Sequence, residues 1–153
     1  MILRVSWDGT TWNDLPWKFE AGTPPILEGA GLGAAVAYLK EIGMEAIAAH
    51  DRELVSYAME QLSELPGLEI VGPTAHKRDG VVAFTFRDIH PHDLAYVMDL
   101  EGVAIWARHH CAQPLHQRLG LTAAARASFY VYNTCEDVDR LVGALEKAAT
   151  KLE

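Results

Sequence analysis

The stretch GVVAFTF, residues 80–86, decides how the rest of the chain is read. β-Branched and aromatic side chains dominate it, which suits a pleated, half-buried surface and predicts a strand. Working back, LEIVG (68–72) reads as a second strand, entered after Pro66-Gly67 stops an amphipathic helix spanning about 45–65. Working forward, HPHDLAYVMDLEG (90–102) opens a helix at Pro91, with Asp93 in its first turn, and ends it near Gly102. VAIWA (103–107) then reads as a short strand, residues 114–119 as a short helix and ARASFYVY (125–132) as another strand. Thr134 and Asp137 have the spacing of a capping box. Beyond them Val138, Leu141, Val142, Leu145, Ala148 and Leu152 form one apolar stripe at helical spacing.

Upstream, GTPP (22–25) enforces an extended entry into a helix from Ile26 to Ile42, ended by Gly43. GAGLG (29–33) lies inside that helical pattern and lacks the third spaced glycine of a dinucleotide loop, so it reads as helix packing. The order helix, helix, strand, strand, helix, strand, short helix, strand, helix contains no repeated βαβ unit. The expected fold is therefore α/β of the α+β two-layer kind, a small, mostly antiparallel sheet with helices packed on one face. MILRVSW (1–7) is itself strand-like, and Trp7, Trp12 and Trp17 crowd the same end. Such aromatics either need another surface to cover them or fold back on the domain's own core.

With 153 residues, half of them hydrophobic, the chain suffices for one compact core. A formal charge of −8 leaves no basic surplus for phosphates, so nucleic acid is not an expected partner. No apolar run approaches the ~18 residues that would span a bilayer, and the start lacks a signal pattern, so a cytoplasmic protein with no membrane partner is expected. The two cysteines, Cys111 and Cys135, form neither a disulfide framework nor a CxxC pair.

RHHCAQPLHQRLG (108–120) holds the most promising chemistry. A thiolate is the nucleophile, and nearby cations favour it; Arg108, His109 and His110 precede Cys111 directly, and Pro114 suits the first turn of the helix that follows. The alternative is a buried, inert thiol, a common fate of free cysteine. Cys135, just after a helix cap, reads as structural. His90, His92 and Asp93 lack a partner at a recognised metal-ligand spacing, and the adjacent His109, His110 and Cys111, with His116, are badly placed to share one ion, so no metal is expected. No GxSxG turn supports a serine hydrolase.

Four stretches together resemble one family over essentially the whole chain. FEAGTPP (19–25), GLGAAVAYLKEIG (31–43), HHCAQPL (109–115) and RASFYVYNT (126–134) followed by EDVDRLV (136–142) are similar, in order and spacing, to the C-terminal part of SufS-type (group II) cysteine desulfurases. These are pyridoxal-phosphate enzymes of the class V aminotransferase, fold type I group. The resemblance implies the C-terminal small domain of such an enzyme at 25–153, with 1–24 an extended segment from the large-domain junction. It implies that Cys111 takes sulfur from L-cysteine as a persulfide, leaving L-alanine, and passes it to an acceptor protein, as in iron–sulfur cluster assembly. His109 and His110 would support that loop. Arg126 matches the arginine that holds the substrate carboxylate, a task for a planar bidentate donor. Gly22 and Thr23 match the segment that reaches the cofactor phosphate of a neighbouring subunit, which implies a dimer.

The same resemblance places the lysine that binds pyridoxal phosphate in a large domain, upstream, and none of Lys18, Lys40, Lys77, Lys147 or Lys151 sits in a matching motif. The chain alone is thus expected not to retain the cofactor, and to need that large domain or a second subunit as partner. The loop also departs from the family pattern Arg-x-Gly-His-His-Cys: Trp106 stands at the cationic position and Arg108 at the glycine. A non-enzymatic sulfur-carrier or interaction module derived from such an enzyme is the alternative.

Overall fold

The computed structural model describes residues 1–152, which fall into two compact units divided between Gly43 and Met44. The sequence reading placed its boundary at residues 24 and 25. In the first unit, β1 (Ile2–Ser6) and β2 (Gly9–Trp12) form an antiparallel hairpin. A 3-10 turn at Trp17–Phe19 and helix α1 (Ile26–Ile42) follow. Gly43 closes α1 by donating its N–H to the Leu39 carbonyl at 3.0 Å, and its φ of +95° is open to glycine. The strand-like start is therefore half of a hairpin. Trp7, Trp12, Trp17 and Phe19 are all exposed, and no residue of α1 is buried.

The second unit contains α2 (Met44–Ser63), β3 (Leu68–Val71), β4 (Val81–Phe86), α3 (Pro91–Leu100), β5 (Trp106–Arg108), α4 (Gln113–Arg118), β6 (Ala124–Ser128) and α5 (Cys135–Leu152). Its four strands lie in the order β3-β4-β6-β5, and every neighbouring pair is antiparallel. Alternation in β4 sends Val82, Phe84 and Phe86 inward, and the opposing β6 adds Ala125 and Ala127. Against this face pack Leu54, Val55, Ala58 and Leu62 of α2, Leu94, Val97 and Met98 of α3, and Val138, Leu141, Leu145 and Ala148 of α5. The small alanines of β6 let the helices approach. Gly80 permits another close approach: a side chain there would collide with the Phe129 carbonyl, while the Phe129 N–H donates to the Gly80 carbonyl at 2.7 Å.

Two strands differ from their sequence reading. Strand β5 begins at Trp106 rather than Val103, because only Trp106–Arg108 find partners on β6, while Val103 and Ile105 use their side chains to pack on the core. Strand β6 ends at Ser128 rather than Tyr132, because beyond the Phe129–Gly80 hydrogen bond the chain turns at once. That turn is held by the Tyr130 N–H donating to Asn133 Oδ1 at 3.0 Å. The α5 stripe is buried except at Leu152, which is exposed, and Val142, which is half-buried. One arm of the capping box forms: the Thr134 N–H donates to Asp137 Oδ2 at 3.1 Å.

The helix layer is also tied electrostatically. Glu101, just after α3, accepts from Lys147 Nζ at 2.8 Å and Lys151 Nζ at 2.7 Å, both on α5. These two ammonium groups hold its carboxyl well below its ordinary 4.5, at about 2. A carboxylate with a depressed folded pKa contributes stability at neutral pH that is lost as pH falls from about 4.5 toward about 2. Glu101→Gln is expected to flatten the acid limb of the stability curve in that window, read by urea denaturation at a series of pH values. Phe84→Ala, which empties the centre of the buried sheet face, is expected to cost about 3–5 kcal/mol by the same measurement.

Candidate active site

Strand β5 runs directly into a tight turn at residues 109–112. The Ala112 N–H donates to the His109 carbonyl at 2.8 Å, and the two central residues have positive φ, +51° at His110 and +57° at Cys111. Consecutive positive φ angles closed by such a bond are the pattern of a type I′ turn. Neither residue is glycine, so each left-handed conformation costs on the order of 1 kcal/mol. Arg108, at the family's glycine position, has φ +158°, at the margin of extended backbone, and it pairs with Ala124. An arginine is accommodated there, and the left-handed geometry falls on the next residues.

The turn is anchored from below. His116 of α4 is buried, and its Nδ1 lies 3.1 Å from the Ala112 carbonyl, to which it donates. Its ring meets His109 edge-on at 6.0 Å between centroids, and His110 at 5.7 Å. The histidines thus form a support under the turn, and Cys111 projects at its exposed tip as a free thiol. Nothing in the local sequence marked His116 as part of this support. Its role depends on α4 folding back under the loop.

Cys111 opens into a cleft of about 520 Å³ lined by Trp106, Arg108, His109, His110, Gln113 and Pro114. Arg126 approaches from the neighbouring strand. It lies opposite Trp106 in the β5–β6 register and opposite Ala83 in the β4–β6 register, so these three share the sheet face turned away from the helices. The Arg126 guanidinium is half-buried, and its Nε makes no hydrogen bond. Burial pushes the His110 imidazole below its ordinary value, the positive charge of Arg126 and the neighbouring His116 and His109 add to this, and a hydrogen bond from the ring to the Ala124 backbone acts the other way. The second unit therefore brings Cys111, His109 and His110 to one cleft, and the β5–β6 register sets Arg126 opposite the cleft-lining Trp106.

The other candidates lie elsewhere. Gly22 and Thr23 are exposed in the first unit, ahead of α1, with Gly22 at φ +74°. Cys135 is an exposed free thiol at the start of α5. His90 caps α3 by accepting from the His92 N–H at 3.2 Å, and the two rings stack. Among the described residues, no group of three or more His, Cys, Asp or Glu side chains has the geometry to hold a metal ion. Nor does a lysine line the cleft at Cys111, and Lys147 and Lys151 are engaged by Glu101. The donor set at the cleft suits a carboxylate and a sulfur atom. It does not by itself hold an aldehyde cofactor through an imine.

Residues 1–141 match the model of the family described as aminotransferase class-V. The chain belongs to that family. It is 51% identical over 148 residues, 97% of its length, to a cysteine desulfurase of Haloferax volcanii. It is similar in structure to the cysteine desulfurase CsdA of Escherichia coli, in an S-sulfonic acid form, with a TM-score of 0.85, 36% identity, and coverage of 99% of this chain and 37% of that one. An apo cysteine desulfurase from Thermococcus onnurineus aligns with a TM-score of 0.84 and 38% identity over 98% of this chain and 38% of its own. The chain thus spans about a third of the length of the relatives it matches, and corresponds to their C-terminal third. No helix among the described residues is long and apolar enough to cross a membrane.

The half-buried His110 imidazole yields a pH prediction. A histidine whose folded pKa is depressed binds protons less readily folded than unfolded, so stability falls as pH drops below the ordinary value of 6.5 and levels off below the folded value. In an NMR titration His110 is expected to protonate below 6.5, and Arg126→Met to move that midpoint upward. An unchanged midpoint in the variant would separate the two residues.

Proposed function

We propose that this chain supplies the sulfur-accepting part of a pyridoxal-phosphate-dependent cysteine desulfurase of the SufS (group II) kind. The observation that carries this reading is the exposed Cys111 thiol, held at the tip of a left-handed turn that follows strand β5, whose neighbour β6 bears Arg126. Arg126 binds the carboxylate of L-cysteine as a charge-assisted donor. Cys111 attacks the substrate sulfur, its thiolate forming the S–S bond as the C–S bond breaks, so that a Cys111 persulfide and L-alanine result. His109 and His110 keep the turn presented to the cleft, with His116 beneath them. Pyridoxal phosphate supplies the electron sink when bound in the complete enzyme. Gly22 and Thr23 would help hold its phosphate in a dimer.

The lysine for that cofactor belongs to the large domain that corresponds to the remaining two thirds of the relatives, or to a second subunit. The persulfide passes to a sulfur-acceptor protein in the cytoplasm, toward iron–sulfur cluster assembly. The absence of a lysine from the Cys111 cleft favours a second use of the same thiol, as a carrier loaded by another desulfurase.

Both uses place sulfur on Cys111, and one series of experiments separates them. Co-expression with a polypeptide spanning the other two thirds of a relative is expected to give pyridoxal-phosphate-dependent sulfide release from L-cysteine, abolished by Cys111→Ser and lowered at least tenfold by Arg126→Lys. The isolated chain is expected to lose the cofactor's absorption on desalting. Persulfide on Cys111, found by mass spectrometry only after exposure to a working desulfurase and with no turnover in the co-expressed complex, would select the carrier. No sulfur on Cys111 in either setting would overturn both.

A further inference from the structure

Every one of the 21 acidic residues lies outside residues 102–135, and that stretch holds Arg108, Arg118, Arg126 and three of the seven histidines. Folding preserves the separation. Strands β4, β6 and β5 are neighbours and carry no carboxylate, and Glu69, the one acidic residue of that four-stranded sheet, stands on β3 at the edge opposite β5. In a chain of net charge −8, the segment that bears the exposed Cys111 thiol is therefore cationic. Two of its cations have no part in the chemistry proposed above. Arg108 alternates with Ala107 on β5 and so shares a face with Trp106, and both line the cleft at Cys111. They are the two positions at which the loop departs from the Arg-x-Gly-His-His-Cys pattern. After the turn, Leu115, Arg118 and Leu119 have the spacing of one helix face, and all three are exposed. Trp106 is 61% exposed, Leu115 53% and Leu119 48%, so apolar surface lies open beside the charges. Among the described residues neither Arg108 nor Arg118 forms an ion pair.

We infer that Trp106, Arg108, Leu115, Arg118 and Leu119 form a docking surface for an acidic segment of the sulfur-acceptor protein. The inference rests on the reading of Cys111 as the sulfur-bearing residue and names the chemistry of the partner that unloads it. Charge complementarity selects an acidic partner, because guanidinium groups in a stretch without carboxylates attract negative charge and repel a basic surface. A neutral, apolar partner would cover the same guanidiniums without compensating their charge. Exposed ion pairs alone contribute little, and the indole and two leucines supply the apolar contact that they lack; Trp and Arg are enriched among the residues that carry interface energy. Position follows from the task. The acceptor's thiol must reach Cys111, and these side chains flank the turn, on β5 before it and along α4 after it. In the transfer the acceptor thiolate attacks the outer sulfur of the Cys111 persulfide. The S–S bond to Cys111 breaks, the Cys111 thiolate leaves and a persulfide forms on the acceptor, with no net oxidation or reduction.

The test uses the isolated full chain and a fluorescein-labelled peptide of Glu, Asp and Leu around one Cys, with Gln and Asn replacing Glu and Asp in the control. Fluorescence anisotropy is expected to show binding of the acidic peptide, weakened severalfold as salt rises from about 0.1 M to about 1 M, and no binding of the control. Trp106→Ala is expected to weaken binding about tenfold, and Arg108→Gly and Arg118→Gln about threefold each. In the wild-type chain, whatever the variants do, the NMR signals of the Trp106 indole N–H and the Leu115 and Leu119 methyls are expected to move with the anisotropy midpoint. Equal binding of the two peptides, movement confined to other signals, or equally tight binding of a single-stranded oligonucleotide overturns the acidic protein partner. Binding lost in the complex with the co-expressed polypeptide overturns it as well, since the rest of the enzyme then covers this face. If Cys111 takes up sulfur from a working desulfurase but the acidic peptide does not bind, the docking surface falls and the reading of Cys111 stands. If the peptide binds but Cys111 never takes up sulfur, that reading falls, and the partner's role as sulfur acceptor falls with it.

Discussion

The antiparallel pairing of β4 with β6 is the constraint on which the second unit depends. Register places Val82 opposite Ala127 and Phe84 opposite Ala125, so one face of the sheet is apolar, with large side chains on one strand and small ones on the other. Three helices cover that face. Period-two alternation then requires Arg126 to lie on the opposite face, away from the core. The positions that make β6 a core strand therefore also aim the arginine at the cleft side. A one-residue slip would bury the guanidinium and expose the alanines, so the core enforces the register of the candidate site.

Strand β5 extends this logic to the cysteine. Its three residues pair with β6 just far enough to set Trp106 beside Arg126 and to end at Arg108, where the chain must reverse. The reversal uses left-handed backbone at His110 and Cys111, a conformation that neither residue favours alone. It persists because His116 is buried beneath it and bonds the Ala112 carbonyl. A thiol on such a turn is held clear of the surface, with its neighbours and not its own preference setting its position.

Family membership and site geometry carry different weight. Similarity over nearly the whole chain assigns the aminotransferase class-V family. The cleft is lined by a thiol, a guanidinium and two imidazoles, Cys111, Arg108, His109 and His110, and a lysine is not among its lining residues. In the first unit Trp7, Trp12, Trp17 and Phe19 are exposed and no residue of α1 is buried.

Much of the fold was legible in the sequence, because the signals are local. The strand composition of 80–86, the apolar stripe of α5, Gly43 as a helix stop and Thr134 with Asp137 as a cap depend on neighbouring residues alone, and each element lies within a few residues of its reading. The extents of β5 and β6 were not legible, because a strand ends where its partner ends, and the partner comes from elsewhere in the chain. For the same reason sequence could name Cys111 and Arg126 but could not set Arg126 opposite Trp106 of the Cys111 cleft, nor find His116 under the turn. By itself the sequence determined the residue types, their periodicities and hence the layers. The tertiary structure alone decided that His116 lies buried beneath the left-handed turn that carries Cys111, because that depends on α4 folding back under the loop and on no single segment.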